Sequence, residues 1–122
     1  MRLETSHGMA AIDGVTWDYT ASFQVIVHRF ATIEAYLDRF SAYHLSRGVV
    51  QQSGFAEVSG MRAFRALVLN FDGRSADQIT LIEAGDDRVV AVVADCPREA
   101  LEAYRGWFEA ALTSLEIWSN PR

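Results

Sequence analysis

The feature that most constrains this chain is a run of six apolar residues, 89–94, in which apolar and polar side chains do not alternate. Such a run is typical of a strand that is covered on both faces. Turn-forming residues at 85–87 separate it from an earlier β-rich stretch that contains Ile79 and Leu81. The sequence therefore predicts a hairpin whose second strand lies in the middle of a sheet.

A helix is predicted directly after this strand. Pro97 suits the first position of a helix, because its fixed φ and missing N–H are tolerated there. We expect Cys96 to be the N-cap. Beyond it, apolar side chains recur at intervals of three and four residues and form one stripe that should pack on the sheet: Leu101, Tyr104, Phe108, Ala111, Leu112 and Leu115.

The rest of the chain predicts three more strands and one more helix. Apolar and polar residues alternate from Val15 to Val27, and a run of this length favours a bend near residues 19–21. Thr32 is a suitable N-cap and Gly48 a suitable end for the helix that follows. The predicted order is β-α-β-β-β-β-α. The fold class is therefore α+β: a mostly antiparallel curved sheet of about five strands with two helices packed on it.

Length and composition indicate one domain. The chain has 122 residues, of which 50% are hydrophobic, and we expect a flexible arm at 1–14 and a single domain at 15–118. A net charge of -5 argues against binding to nucleic acid or to an anionic membrane. With one cysteine, no apolar stretch of spanning length and no signal-like segment near Met1, we expect a cytoplasmic protein that does not insert into membranes.

Residues that could carry chemistry are few. Cys96 is a candidate reactive residue, because a helix N-terminus can stabilise a thiolate, although the neighbouring Asp95 opposes this. His28, on the polar face of a strand, is a candidate ligand residue. The sequence contains no metal-binding, cofactor-binding or phosphate-binding motif. We therefore assign no catalytic residue, no metal and no cofactor, and we expect a protein that is not an enzyme.

Aromatic residues are the candidates for partner binding. Several lie along one strand face, one is off-centre from the apolar stripe of the last helix, and one follows that helix. Most aromatic residues in such positions belong to the core, but amphipathic aromatics are also enriched at interfaces. The candidate partner-binding residues are Trp17, Tyr19, Phe23, Trp107 and Trp118.

Four stretches of sequence, in their order along the chain, are similar to a known superfamily. They are ASFQVIVHRF, EVSGMRAFRALVLNFDG, DQITLIEAGDDRVVAVVADCP and ALEAYRGWFEAALTSL, within Ala21 to Leu115. Together they resemble the PsbP/DcrB-like superfamily, which includes photosystem extrinsic proteins, bacterial lipoproteins, a Ran-binding import factor and the Eag chaperones of type VI secretion. The acidic chain, which has no lipoprotein cysteine near Met1, is nearest in character to the Eag chaperones. That resemblance implies a cup-like sheet face that shields a client segment.

Three functional hypotheses follow. The first is a non-enzymatic binding module, chaperone-like or adaptor-like, that shields a segment of a protein partner against its sheet face and can form a homodimer. The second is a small-ligand carrier or small enzyme, with a pocket between sheet and helices that uses His28 or Cys96. The third is an immunity or regulatory protein whose partner is encoded by an adjacent gene. A deep enclosed cavity with either residue at its mouth would favour the second hypothesis over the first.

Overall fold

The secondary structure follows the predicted order. The computed structural model describes residues 8–11 and 21–115, the side chains of 8–11 and 42–44 excepted. The elements are β1 (Gly8–Ala11), β2 (Ser22–His28), α1 (Ile33–Leu45), β3 (Gly48–Val58), β4 (Met61–Asn70), β5 (Ser75–Gly85), β6 (Arg88–Pro97), a 3-10 turn (Arg98–Ala100) and α2 (Leu101–Ser114).

The strands form a single antiparallel sheet in the order β1-β2-β6-β5-β4-β3. The five predicted strands are present, the two predicted helices are present, and the α+β class is confirmed. The additional strand, β1, lies within the segment expected to be an arm, and it pairs with β2 at one edge of the sheet. The domain boundaries and the bend near residues 19–21 lie in part outside the described residues and stay predictions.

Strand β6 lies between β2 and β5, as its unbroken apolar run predicts. Successive side chains of β6 point alternately to the two faces of the sheet, and each face has its own hydrophobic core. On the side that we call the α2 face, the buried residues include Phe23, Val25, Val90, Val92, Ala94, Cys96, Phe108, Ala111 and Leu112. On the opposite side, the α1 face, they include Ile33, Tyr36, Val68, Ile79, Leu81, Val89 and Ala91. Each helix therefore covers one face of the sheet.

Helix α1 is held to the sheet at its N-terminus. The Thr32 hydroxyl accepts a hydrogen bond from the Ala35 N–H at 3.0 Å, which confirms the predicted N-cap. A Glu83 carboxylate oxygen on β5 accepts a second one from the Ile33 N–H at 2.8 Å. Arg62 on β4 donates to this Glu83 oxygen at 2.6 Å and also pairs with Glu34. The first turn of α1 is thus bonded to two strands.

The expectation that Cys96 caps α2 is wrong. Strand β6 continues through Pro97, because Cys96 pairs with Ala76 and Pro97 with Ser75 of β5. A 3-10 turn then intervenes, and α2 begins at Leu101. Because β5 provides pairing partners as far as Ser75, β6 continues to Pro97, the residue at which the sequence predicts the start of a helix. Cys96 is therefore a strand residue.

Phe108 tests the attachment of α2 to the sheet. The side chain of Phe108 is 2% exposed, whereas that of its neighbour Trp107 is 46% exposed. We expect Phe108→Ala to lower the free energy of unfolding by about 3–5 kcal/mol, because it leaves a cavity, and Trp107→Ala to lower it by less than about 1 kcal/mol. Urea denaturation of both variants would measure this. Equal effects would show that α2 does not pack as described.

Candidate functional site

A groove of about 370 Å³ lies on the α2 face, between α2 and the strands β3, β4 and β5. It forms because α2 packs over the central strands, while β3 at the sheet edge has no helix above it. Its lining residues are Gln52, Ser53, Gly54, Phe55, Arg65, Ala66, Leu67, Gln78, Ile79, Arg105 and Glu109. The groove therefore has a sheet floor, one helical wall and one wall that is an edge strand.

An ion pair joins the helical wall to the floor. Arg65 on β4 donates to both carboxylate oxygens of Glu109 on α2, at 3.2 and 2.5 Å, and to the Thr80 hydroxyl at 3.3 Å. Bidentate pairing of this kind fixes the guanidinium plane. Arg105, also on the helical wall, donates to Glu102 at 3.1 Å. Two arginines and one glutamate thus line the groove of a chain whose net charge is -5.

The floor of the groove contains a polar atom with no described partner. The Oε1 atom of Gln78 is buried and accepts no hydrogen bond from any described residue. A buried acceptor in this state is unfavourable unless water or a bound group donates to it. The space above the edge-strand wall is open, since a Cβ at Gly54 would meet nothing within 4 Å. The groove therefore has open space beside Gly54 and an unused hydrogen-bond acceptor, Gln78 Oε1, beneath its floor.

Strand β3 is exposed along nearly its whole length. It is one edge of the sheet, and all but two of its eleven residues are exposed. Its large apolar side chains are among the most exposed of the described residues: Val49 at 54%, Val50 at 38% and Phe55 at 53%. An edge strand of this length offers unpaired backbone N–H and C=O groups to another chain. The outer edge of this strand is therefore unpaired, and the strand is also a wall of the groove.

A pair of aspartates lies on the α1 face, away from the groove. Asp77 of β5 and Asp95 of β6 are directly opposite each other. Burial, together with the hydrogen bond and negative charge of Asp77, raises the pKa of Asp95 from 3.8 to about 8. The Asn70 amide donates to Asp77 at 3.2 Å and to the Ser75 hydroxyl at 2.9 Å. The raised pKa of Asp95 favours its protonated form at neutral pH, in which its O–H can donate to Asp77.

The candidate reactive and ligand residues do not line the groove. Cys96 is fully buried in the core of the α2 face, and burial, assisted by Asp95, raises the pKa of its thiol to about 12. His28 lies on the α1 face, with its ring centroid 5.0 Å from that of Tyr36 and 5.2 Å from that of Phe40. Burial lowers the pKa of His28. Both side chains are thus placed in packed surroundings.

The candidate partner-binding aromatics are dispersed. Phe23 is buried in the core of the α2 face, and Trp107 is exposed on α2 outside the groove lining. Trp17, Tyr19 and Trp118 lie outside the described residues. The groove residues that the sequence analysis missed have one local signal, since Arg105 and Glu109 are four residues apart and so share a helix face beside the apolar stripe.

Comparison with known proteins concerns the fold alone. PA94 from Pseudomonas aeruginosa, a protein of unknown function for which a regulatory role has been suggested, superposes with a TM-score of 0.72 at 15% identity, covering 98% of this chain and 86% of its own. Cyanobacterial PsbP from Synechocystis sp. PCC 6803 superposes with a TM-score of 0.58 at 11% identity, covering 90% of this chain and 81% of its own. The chain has a PsbP-like fold. No protein-family model and no curated protein sequence matches it.

Two general features of site chemistry complete the description of this PsbP-like domain. Among the residues described, there is no group of three or more histidine, cysteine, aspartate or glutamate side chains arranged to hold a metal ion. Within the same residues, no helix is both long enough and apolar enough to cross a membrane.

The aspartate pair predicts a pH dependence of stability. Between pH 3.8 and about 8, the folded protein holds a proton on Asp95 that the unfolded chain releases, so the free energy of unfolding falls as the pH rises through this range. In Asp95→Asn, the amide can donate to Asp77 as the carboxyl O–H does. We expect this variant to depend less on pH and to be more stable at pH 8 by on the order of 1 kcal/mol.

Thermal melts from pH 5 to pH 9 would measure this effect. Asp38→Asn, at an exposed position on α1, is the matched control and should follow the wild-type pH profile. A steep wild-type profile that persists in Asp95→Asn would contradict the assignment of the proton to Asp95.

Proposed function

We propose that this protein is a non-enzymatic binding module, chaperone-like or adaptor-like, that holds a segment of a protein partner in the groove between α2 and the edge strand. The observation that supports this is the combination of an open groove with an adjoining exposed strand that carries Val49, Val50 and Phe55. Both a groove on the sheet and an unpaired edge are surfaces on which partner chains are commonly bound. A cytoplasmic location, as expected from the sequence, is part of the same proposal.

The shape of the groove favours this function over a ligand carrier or an enzyme. An enclosed cavity with His28 or Cys96 at its mouth would support small-molecule chemistry, but neither residue lines the groove. The thiol of Cys96 has a raised pKa, which disfavours the nucleophilic thiolate at neutral pH. An immunity or regulatory protein would use the same surface, and it differs from a chaperone in its partner rather than in its geometry.

A homodimer is the second part of the proposal, and the edge strand supports it. On β3, Val50 and Phe55 both project toward the α1 face, because they are opposite Val68 and Phe64 of the core on that side. If two copies pair antiparallel about Ser53, with the bulge between Val50 and Gln52 accommodated as it is against β4, Phe55 of each copy lies opposite Val50 of the second copy. Apolar side chains then meet on one continuous face.

Filling the groove tests partner binding. In Gly54→Trp, the indole has room at its point of attachment, because a Cβ there meets nothing within 4 Å, and a strand favours tryptophan over glycine. We expect the variant to melt like the wild type but to bind its partner about tenfold more weakly, a loss of about 1.4 kcal/mol. The measurement is photo-crosslinking in the native host from a probe at Gln52, with the captured protein identified by mass spectrometry and its affinity measured after purification.

Ala103→Trp is the matched control for partner binding. It adds the same side chain to an exposed position of α2 that does not line the groove. The control should bind the partner normally. Equal binding by Gly54→Trp and the wild type would remove the groove from the proposal.

Adding charge to the edge strand tests the dimer. Ser53→Glu would place two carboxylates opposite each other at the two-fold axis, and like charges directly opposite destabilise strand pairs. We expect the dissociation constant of the dimer to rise at least about tenfold, measured by analytical ultracentrifugation. Ala110→Glu, which adds the same charge at an exposed position of α2, is the control for a general effect of charge. A wild-type protein that stays monomeric at all concentrations would contradict the dimer.

A further inference from the structure

We propose that the groove recognises a carboxylate that has a hydrogen-bond donor beside it, as an acidic side chain in an extended segment of the partner supplies. Arg105 binds the carboxylate and Gln78 accepts the hydrogen bond from the donor. This inference rests on the proposed function, because it names the chemistry of the segment that the groove holds. The segment that binds must therefore contain an acidic residue, a requirement that does not follow from the shape of the groove.

The charge of the groove is the first observation that carries this inference. The charged residues that line it are Arg65, Arg105 and Glu109, so the groove is locally cationic although the whole chain is acidic. A cationic groove within an acidic protein attracts anionic groups and repels cationic ones. An acidic segment is therefore favoured over a basic or neutral one.

The hydrogen-bonding partners of Arg65 and Arg105 show which of the two can bind a ligand carboxylate. Arg65 donates to both carboxylate oxygens of Glu109, and its Nε donates to the Thr80 hydroxyl. Its guanidinium is therefore already occupied by hydrogen bonds within the protein. Arg105 instead donates through Nη1 to Glu102, whose side chain is 85% exposed. An exposed i,i+3 pair contributes little, since solvent screens it. A ligand carboxylate can therefore replace Glu102 on Arg105 with little loss.

The unpartnered acceptor is the second observation, and it is independent of charge. Gln78 lines the same groove, and its buried Oε1 atom has no donor among the described residues, so it can accept a hydrogen bond once the side chain turns toward the open space. A free carboxylate cannot satisfy it, because a carboxylate has no hydrogen to donate. A backbone N–H next to an acidic side chain can do so. The two observations together fit an acidic residue within a peptide.

The groove is large enough to hold an acidic residue within an extended peptide. A volume of about 370 Å³ lies within the range of sites that bind small ligands, and it is sufficient for a few residues of an extended chain. No side chain projects from Gly54, so the backbone of such a segment can approach β3 closely there. Gln52, on the same wall, provides a further amide that can bind the segment.

The test uses defined peptides, because no partner is required for it. The full chain, labelled with ¹⁵N, is titrated with acetyl-Ala-Ala-Glu-Ala-Ala-amide and with its isostere acetyl-Ala-Ala-Gln-Ala-Ala-amide. Chemical shifts of the backbone N–H of Gly54 and of the side-chain amides of Gln52 and Gln78 report occupancy. We expect the glutamate peptide to bind at least about tenfold more tightly than the glutamine peptide, because it makes a charge-assisted hydrogen bond.

Three variants assign the roles of the residues. Arg105→Gln should remove the preference for glutamate, whereas Arg39→Gln, an exposed arginine on α1, should retain it. Gln78→Leu should weaken both peptides similarly, because it removes the acceptor that either backbone uses. Preference for glutamate that survives in Arg105→Gln, or equal affinity of the wild type for both peptides, would overturn the inference.

A further titration distinguishes the two sources of a carboxylate. The α-methyl ester of N-acetylglutamate supplies the same side-chain carboxylate and one N–H without an extended chain. If it binds as tightly as the glutamate peptide, the groove recognises a small carboxylic acid, and the inference of a partner segment is overturned. Equal peptide affinities together with loss of partner capture in Gly54→Trp would reject the acidic chemistry and leave the proposed function standing.

Discussion

Strand β6 contributes alternate side chains to two hydrophobic cores, one beneath each helix. Val90 and Val92 pack under α2, while Val89 and Ala91 pack under α1. Because successive side chains of a strand point to opposite faces, only a sequence without polar alternation can serve both cores. The position of each helix follows from this strand. The groove follows as well, since a helix centred on the middle of the sheet leaves the β3 edge without cover.

Arginine side chains join each helix to this sheet. Arg62 joins the first turn of α1 to β5 through Glu34 and Glu83, and Arg65 joins α2 to β4 through Glu109. These pairs are partly exposed, so each one contributes little to the free energy of unfolding. Their bidentate geometry restricts the angle and position of each helix. All eleven cationic residues of the chain are arginines, which suits this use.

Most of the fold could be predicted from the sequence, because its signals are local and strong. The unbroken apolar run at 89–94, the Thr32 cap and the helical stripe of α2 each predict the element that is present. The additional edge strand, Gly8–Ala11, has the sequence GMAA, which is too short to show a β-type alternation of apolar and polar residues. It is a strand because it pairs with β2, which is distant in the sequence. The end of β6 was also mispredicted, because pairing with β5 outweighs the local preference of Pro97.

The candidate site could be predicted only in small part. Its residues come from four different elements, and no single stretch of sequence contains more than four consecutive lining residues. Two of its features depend on how α2 crosses the sheet: the unpartnered Oε1 atom of Gln78 and the pairing of Arg65 with Glu109. The hydrophobic periodicity of the sequence does not specify that crossing. The Asp77–Asp95 pair is different. It follows from the register of the β5–β6 hairpin, but an irregularity between Glu83 and Gly85 shifts that register by one residue, so the predicted turn at 85–87 did not by itself reveal the pair.

The exposure of β3 has a consequence for how such a protein can change over evolutionary time. Nearly all of its side chains are outside both cores, so substitutions there leave the packing of the domain almost untouched. Specificity and foldability are thereby assigned to different residues. Substitutions along this one strand would therefore change the surface that the domain presents without requiring compensating changes in the interior.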